Sequence, residues 1–220
     1  MNIDTAVTTA SVCLAQNEHP VGLKTNASQK DHAAWLHLAI RELTEEAGIS
    51  LARLDAIAIS AGPGSYTGLR VGMAAAKGLC YALNKPLITV STLKMMAAAA
   101  QGEPSELLCP MIDARRMEVF TAIYDKDLNE ILTPTNLIID NHSFEDLLRY
   151  HSISFFGNGS KKFENISTHP NARFKMIEIN AKNMIALSFN SLKQKGFADL
   201  AYTEPFYGKE FHLTTSKATV

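Results

Sequence analysis

The sequence contains few cysteines and no long hydrophobic run. Its three cysteines, Cys13, Cys80 and Cys109, are far apart and form no C-x-x-C pair, which excludes a disulfide framework and paired metal-binding thiols. No apolar run approaches the roughly 20 residues that a membrane helix requires. No lysine or arginine precedes Lys24, so the basic segment of a signal peptide is missing as well. We therefore predict a cytoplasmic protein with reduced thiols and no membrane contact.

An excess of charge of either sign is missing too. The chain has 21 lysines and arginines against 22 acidic residues, for a formal net charge of −1. Proteins that hold nucleic acid by its phosphates concentrate positive charge, so we expect this chain to reach nucleic acid only indirectly, through a partner. Its 220 residues are 46% hydrophobic and 20% charged, which predicts either one medium domain or two small lobes with true cores.

The most distinctive segment is rich in glycine and hydroxyl residues. Residues 62–72 read Gly-Pro-Gly-Ser-Tyr-Thr-Gly-Leu-Arg-Val-Gly, between an apolar strand predicted at 54–61 and a helix predicted from about residue 69 to 83. Backbone amides at the start of that helix could hold an anion, but the spacing fits neither common phosphate-binding motif. Glycines that permit close backbone packing are the alternative. The loop residues considered are Gly62, Pro63, Gly64, Ser65, Tyr66, Thr67, Gly68 and Arg70.

The order of the predicted elements occurs twice. Three short strands, a helix at about 31–47, the strand before the glycine loop and the helix after it form the first half. In the second half, Ile112-Asp113 corresponds to Ile3-Asp4, and the run Gly-Asn-Gly-Ser at 157–160 corresponds to the start of the glycine loop. This agreement predicts an internal duplication. The fold class is therefore α/β, with a mixed sheet flanked by helices in each lobe, an N-terminal lobe at 1–103 and a degenerate C-terminal lobe at 104–220.

Several motifs together resemble a known family. They are the glycine loop, Ile3-Asp4-Thr5-Ala6, Ser91-Thr92-Leu93, Ile112-Asp113-Ala114-Arg115 with Glu118-Val119, and the segment Ala201 to Tyr207 with Glu204-Pro205 and Tyr207. The chain resembles the TsaB family, also called YeaZ, of bacterial tRNA threonylcarbamoyladenosine biosynthesis. The resemblance implies two tandem ribonuclease-H-like lobes of the actin, sugar-kinase and Hsp70 type.

The resemblance also implies a function. Members of this family are non-catalytic subunits that pair with the threonylcarbamoyl transferase TsaD and activate it, with the ATPase TsaE as a third component. The expected states are a heterodimer with TsaD and a homodimer when the chain is alone, and tRNA is contacted only indirectly. No cofactor is implied for the isolated chain, whereas ATP or ADP at the interface of the complex is left open.

The helix after the glycine loop carries small residues at four-residue spacing, at Gly68, Gly72 and Ala76. Such a stripe lets another helix approach closely, and that helix could belong to the same chain or to a partner. The resemblance implies that self-association and pairing with TsaD both use helices of the first lobe. Trp35, the only tryptophan, would suit an anchor there. The predicted interface consists of Trp35, Ala39, Leu43, Gly72, Ala75, Ala76 and Leu79.

Catalytic and metal sites are not predicted. Asp4 and Thr5 lie where nucleotide-binding proteins of this fold contact phosphate, but neither glycine nor lysine follows them, so we favour a turn cap over a vestigial phosphate hairpin. His32 and His37 lack the spacing of metal ligands on one helix face. Ser65 is not in a G-x-S-x-G motif, which disfavours a glycoprotease-like peptidase. An ATP-dependent kinase-type enzyme of the same fold is the other alternative, and it would require nucleotide between the lobes.

Overall fold

The structure, a computed structural model, describes residues 1–28 and 32–208, with His32 described by its backbone alone. The predicted start of the first helix at residue 31 and the predicted end of the second lobe beyond residue 208 lie outside the described residues.

The first lobe contains a five-stranded mixed sheet in the order β3-β2-β1-β4-β5. Strands β1 to β3 are antiparallel, whereas β4 and β5 run parallel to β1. The elements of this lobe are β1 (Asn2–Asp4), β2 (Ala10–Gln16), β3 (His19–Asn26), α1 (His32–Glu46), β4 (Ile57–Ser60), α2 (Tyr66–Leu83), β5 (Leu87–Val90) and α3 (Thr92–Ala99).

The second lobe repeats this arrangement. Its sheet has the order β8-β7-β6-β9-β10, with β6 to β8 antiparallel and β9 and β10 parallel to β6. Its elements are β6 (Leu107–Asp113), β7 (Glu118–Tyr124), β8 (Glu130–Ile138), α4 (Glu145–Leu148), β9 (Ile153–Phe156), α5 (Ser160–Glu164) and β10 (Ala172–Lys175). The predicted fold class, two tandem α/β lobes with mixed sheets, is confirmed.

Helices α1 and α2 cover one face of the first sheet. The apolar positions Leu36, Ile40 and Leu43 are three or four residues apart and so lie on one side of α1, where they are buried against the strands. Burial of each such side chain contributes about 1.5–3 kcal/mol. Helix α2 begins one turn earlier than predicted because the Ser65 hydroxyl accepts a hydrogen bond from the Gly68 amide at 3.3 Å, which caps the first turn.

Helix α3 lies between the two sheets. Leu93 and Met96 pack into the core of the second lobe, whereas Met95, on the other side of the helix, packs against the first sheet. The Ser91 hydroxyl accepts a hydrogen bond from the Lys94 amide at 3.4 Å and so caps the first turn of α3. Because one helix contributes to both cores, the two lobes share part of their packing.

The chain returns to the first lobe after the second sheet. A 3₁₀ turn at Ala181–Met184 and helix α6 (Ile185–Lys193) cover the face of the first sheet opposite α1 and α2. Residues 197–208, which we call the C-terminal strap, then run along the first lobe, where the Ala198 amide donates to the Leu87 carbonyl at 2.8 Å. The boundary predicted at residue 103 assigns residues 181–208 to the second lobe, although they pack on the first.

All three cysteines are buried and free. Burial raises the pKa of Cys13 and Cys80 to about 11 and that of Cys109 to about 12, so their reactive thiolate forms are scarce. None of the helices in the described part of the chain has the length and apolarity to cross a bilayer.

Candidate functional site

The glycines of the loop and of α2 let this helix pack closely against the first hairpin, which is formed by β1, β2 and the turn between them. A Cβ atom at Gly64 would collide with the carbonyl of Ala6, and one at Gly68 with the carbonyl of Thr5. At Gly72 a Cβ would collide with the Thr5 hydroxyl. Gly64 and Gly68 require glycine because the backbones approach too closely for any side chain, whereas Gly72 makes room for the Thr5 side chain.

Three backbone amides of the glycine loop already have acceptors within the protein. The Gly62 amide donates to the Thr92 hydroxyl at 3.1 Å, and the Ser65 amide donates to the Ala6 carbonyl at 2.7 Å. The Gly68 amide is taken by the Ser65 side chain. Amides bound to protein acceptors cannot also hold an anion, so the geometry favours the packing interpretation of the loop over a phosphate cradle.

The hairpin residues Asp4 and Thr5 are fully buried. One carboxylate oxygen of Asp4 accepts hydrogen bonds from the Ser60 hydroxyl at 2.5 Å and from the Ala6 amide at 3.0 Å. The Thr5 hydroxyl donates to the Gly68 carbonyl at 2.7 Å. Neither side chain is open to a ligand in this conformation, which disfavours the phosphate-hairpin interpretation, and the bond from Ala6 fits a turn cap.

Burial is costly for the Asp4 carboxylate. Its second oxygen has no hydrogen-bond partner among the described residues. Desolvation raises the pKa of Asp4 to about 6, against the opposing effect of the hydrogen bonds from Ser60 and Ala6. The first hairpin therefore holds a carboxyl group that is protonated far more readily than an exposed aspartate.

Replacing Asp4 by asparagine is expected to change the pH dependence of stability. The folded-state pKa of about 6 lies above the ordinary value of 3.8, so the wild-type carboxyl stabilises the fold at low pH and loses that contribution as pH rises through 6. The free energy of unfolding of Asp4→Asn, relative to wild type, should therefore rise by about 2 kcal/mol between pH 4 and pH 7. Urea unfolding at both pH values measures this change.

The matched control for that experiment is Glu18→Gln, an exposed position in the same lobe. Its effect on stability should be the same at both pH values. A difference between Asp4→Asn and wild type that does not depend on pH would contradict the assignment.

The C-terminal strap is attached to α2 by aromatic and cationic side chains. The Arg70 Nε donates to the Tyr207 hydroxyl at 3.1 Å, and its guanidinium lies 4.1 Å from the centre of the Tyr66 ring. The two tyrosine rings are 5.0 Å apart. Further along the helix, the Lys77 ammonium donates to two strap carbonyls. The contact between Arg70 and Tyr207 could not be predicted from the sequence, because no local pattern connects residue 70 with residue 207.

Arg70→Ala is expected to loosen the strap without unfolding the lobes. It removes the hydrogen bond to Tyr207 and the contact over Tyr66, so amide hydrogen exchange in residues 198–207 should become several-fold faster. Exchange followed by mass spectrometry measures the effect segment by segment. Arg53→Ala, an exposed arginine of the same lobe, should leave the strap unchanged, and equal exchange in Arg70→Ala would rule out this attachment.

An apolar groove lies on the outer surface of the first lobe between α1 and α2. We call it the α1/α2 groove; its volume is about 440 Å³. It is lined by Ala33, His37, Val71, Ala74, Ala75, Gly78 and Leu79. Large exposed apolar side chains lie on the same two helices, with Leu38 44% and Tyr81 83% exposed. Small residues along a surface groove allow a helix of another protein to approach closely.

The predicted interface is only partly at this surface. Ala75 and Leu79 line the groove. In contrast, four predicted contacts are buried inside the lobe and cannot touch a partner in this fold. These four are Ala39, Leu43, Gly72 and Ala76.

Trp35 is packed against the core from the other side of α1. At 100° per residue it lies about 160° around the helix from His37, so it does not contribute to the groove. The sequence interpretation missed five groove residues, which are Ala33, His37, Val71, Ala74 and Gly78. For the last three, helical spacing on α2 was the available signal.

A second concavity, of about 820 Å³, lies between the lobes and includes residues 7–9, 157–158 and 174–180 in its lining. Its two lysines already have carboxylate partners: Lys161 is 2.9 Å from Glu164, and Lys175 is 3.5 Å from Glu103. Within the described ranges, no group of three or more potential metal-binding side chains occurs. Among the described residues that line the cleft, both lysines are therefore paired with carboxylates rather than left for a nucleotide phosphate.

Duplicated mixed sheets around an interlobe cleft define a two-lobed α/β protein of the actin-like class. The family model described as "TsaD: tRNA N6-adenosine threonylcarbamoyltransferase" matches residues 9–205. The chain therefore belongs to that family, and the relatives it resembles include proteins named TsaB.

Curated relatives carry the same name. The chain is 35% identical over 130 residues to the tRNA threonylcarbamoyladenosine biosynthesis protein TsaB of Escherichia coli, covering 59% of this chain and 56% of that protein. It is 32% identical over 122 residues to TsaB of Bacillus subtilis, covering 56% and 53%. The matched region thus spans about half the length of these two relatives. The match to TsaB of Buchnera aphidicola is 25% over 193 residues and covers 86% of this chain and 91% of that protein.

Solved structures extend the likeness to the whole fold. The crystal structure of an uncharacterized protein with similarity to peptidase YEAZ, from Pseudomonas aeruginosa, gives a TM-score of 0.83 over 94% of this chain and 97% of that one, at 24% identity. YeaZ from Pseudomonas aeruginosa gives 0.77 over 93% and 97%, also at 24% identity. At this identity the likeness establishes the fold alone.

Proposed function

We propose that this chain is a non-catalytic subunit for threonylcarbamoyladenosine formation in tRNA, which pairs with the transferase TsaD and activates it. The observation that carries the proposal is the α1/α2 groove, an apolar surface of small residues on two helices. Similarity to the curated TsaB proteins indicates the pathway, because these relatives are named as proteins of threonylcarbamoyladenosine biosynthesis.

Homology between the two subunits supports the same surface. This chain is 38% identical over 89 residues, 40% of its length, to the tRNA N6-adenosine threonylcarbamoyltransferase of Erythrobacter litoralis. Homologous chains carry equivalent helices, so one helix pair from each can meet about a pseudo-twofold axis as in a symmetric dimer. The same groove would support self-association when the chain is alone.

The candidate catalytic side chains support a non-catalytic role. Asp4 is buried, Ser65 caps a helix, and the cleft lysines are paired with carboxylates. These features disfavour the kinase-type and peptidase alternatives. In this proposal the isolated chain needs no cofactor, and any ATP or ADP binds at the interface of the complex, where TsaE is the third component. The balanced charge of the chain fits indirect contact with tRNA, in the cytoplasm.

The test is reconstitution with TsaD and TsaE of the same organism. Formation of threonylcarbamoyladenosine should require this chain, and the chain and TsaD should elute together in size-exclusion chromatography. Modification at the same rate without the chain, together with no complex, would refute the proposal. Calorimetry of the isolated chain with Mg-ATP addresses the kinase alternative, which micromolar binding would favour.

A further inference from the structure

The turn that connects β6 to β7 carries two consecutive arginines in an unfavourable backbone conformation. Arg115 and Arg116 have φ angles of 71° and 50°, in the left-handed region that a residue with a Cβ atom rarely adopts. Asparagine and glycine are tolerated there much better than arginine. In the first lobe, none of the residues 5–9, which connect β1 to β2, has a positive φ angle. The duplicated fold therefore does not require this conformation, and the conformation does not favour arginine.

Polar contacts from the neighbouring strands and from α5 hold the turn in place. The Asp113 carboxylate accepts hydrogen bonds from the Arg115 amide at 2.6 Å and from the Lys162 ammonium at 2.7 Å. The same ammonium donates to the Glu118 carbonyl at 2.8 Å. The Ala114 amide donates to that carbonyl as well, at 3.0 Å. An unfavourable backbone conformation persists when its surroundings determine it in this way, and such conformations concentrate where side chains bind a ligand.

The two arginine side chains are available for binding. Both are exposed, and neither forms an ion pair with another residue in the described part of the chain. The carboxylates beside them in the sequence have other partners. Asp113 is paired with Lys162, and the Glu118 carboxylate accepts a hydrogen bond from the Asn136 side chain at 2.8 Å. The two arginines and Lys162 thus stand against two carboxylates, which leaves a net positive charge at the turn.

Paired arginines of this kind suit phosphate. The planar guanidinium can donate two parallel hydrogen bonds to phosphate oxygens, which a lysine ammonium cannot do. Two adjacent guanidinium groups can reach successive phosphates of a nucleic-acid backbone, and such contacts position the nucleic acid without reading its sequence. The formal net charge of the whole chain is −1, so these contacts act only when a partner already holds the nucleic acid.

We propose that Arg115 and Arg116 contact backbone phosphates of the tRNA substrate when the chain is bound to TsaD. This inference rests on the proposed function, in which tRNA is the molecule that is modified, and for that reason we favour tRNA over an acidic protein surface. It adds a direct contact, which depends on the partner, to the indirect contact expected from the balanced charge. The second lobe thereby has a role separate from that of the α1/α2 groove.

Binding of an unmodified tRNA transcript to the complex reconstituted with TsaD and TsaE of the same organism tests the proposal. Fluorescence anisotropy gives the dissociation constant at several salt concentrations for wild type and for the double variant Arg115→Asn/Arg116→Gly. Each lost phosphate contact should reduce the slope of log affinity against log salt concentration by about one. The slope of the variant should therefore be shallower by about two, and its affinity should be about tenfold lower at about 0.1 M salt.

Three controls separate the phosphate contact from structural effects. Asparagine and glycine tolerate the left-handed region, so the isolated variant should unfold at the same temperature as wild type or at a higher one. The double variant Arg53→Asn/Arg149→Asn removes the same charge from exposed arginines elsewhere and should keep the wild-type slope and affinity. Arg115→Lys/Arg116→Lys keeps the charge, so it should keep the slope while its affinity falls a few-fold with the loss of the bidentate geometry.

The outcomes separate this inference from the proposed function. Unchanged slope and affinity in Arg115→Asn/Arg116→Gly would overturn the role of the turn while the complex itself still forms. Weaker pairing of that variant with TsaD in the absence of tRNA would overturn it as well, because the arginines would then contact a protein. If the wild-type chain forms no complex with TsaD, the proposed function fails, and this inference fails with it.

Discussion

Gly78→Glu is expected to abolish pairing with the transferase while the chain stays folded. Gly78 is exposed on α2, and a Cβ atom there would have no neighbour within 4 Å, so the new side chain fits the isolated protein. A docked helix would bury its carboxylate against Ala74 and Leu79, which also line the groove. An unpaired buried charge costs several kcal/mol, so affinity should fall by more than about 100-fold.

Stability should move in the opposite direction. Glycine inside a helix is unfavourable by about 0.5–1 kcal/mol relative to alanine, and glutamate is a good helix former. The midpoint of thermal unfolding of Gly78→Glu should therefore equal or exceed that of wild type. Gly102→Glu is the matched control, since Gly102 is also exposed and a Cβ atom there would likewise meet no neighbour within 4 Å, but it lies outside the groove. Unchanged affinity in Gly78→Glu would exclude the groove as the docking surface.

The duplicated α/β fold could be predicted from the sequence because its signals are local. Alternating apolar residues mark the strands, and the first glycines of the two corresponding loops, Gly62 and Gly157, both adopt positive φ angles of 113° and 94°. Such backbone conformations strongly select glycine. The repeated loop can therefore be recognised in the sequence by a glycine at the equivalent position of each lobe.

The face of α2 that points outward could not be predicted in the same way. Small residues occur on both sides of this helix, at Gly72 and Ala76 toward the sheet and at Ala74 and Gly78 toward the groove. Spacing alone identifies a stripe but does not say what it packs against. Gly72 is selected by the Thr5 side chain, a contact between residues far apart in sequence. The strap contact between Arg70 and Tyr207 was unpredictable for the same reason.

Gly68→Ala is expected to be the most destabilising of the small substitutions in α2. The added methyl group would collide with the backbone carbonyl of Thr5, which cannot rotate away as a flexible side chain can. The hairpin or the helix must shift, and that shift strains the hydrogen bond from the Thr5 hydroxyl to the Gly68 carbonyl. Overpacking of this kind costs about 3 kcal/mol, which urea unfolding would detect as a lower midpoint with an unchanged slope.

Gly78→Ala provides the matched comparison, because it makes the same chemical change in the same helix. Its Cβ atom meets no neighbour within 4 Å, so only the helix propensity changes, and the variant should be more stable than wild type by about 1 kcal/mol. The two substitutions should therefore differ by about 4 kcal/mol and in sign. Similar effects for both would mean that helix propensity, rather than the approach of α2 to the first hairpin, explains the glycines of this loop.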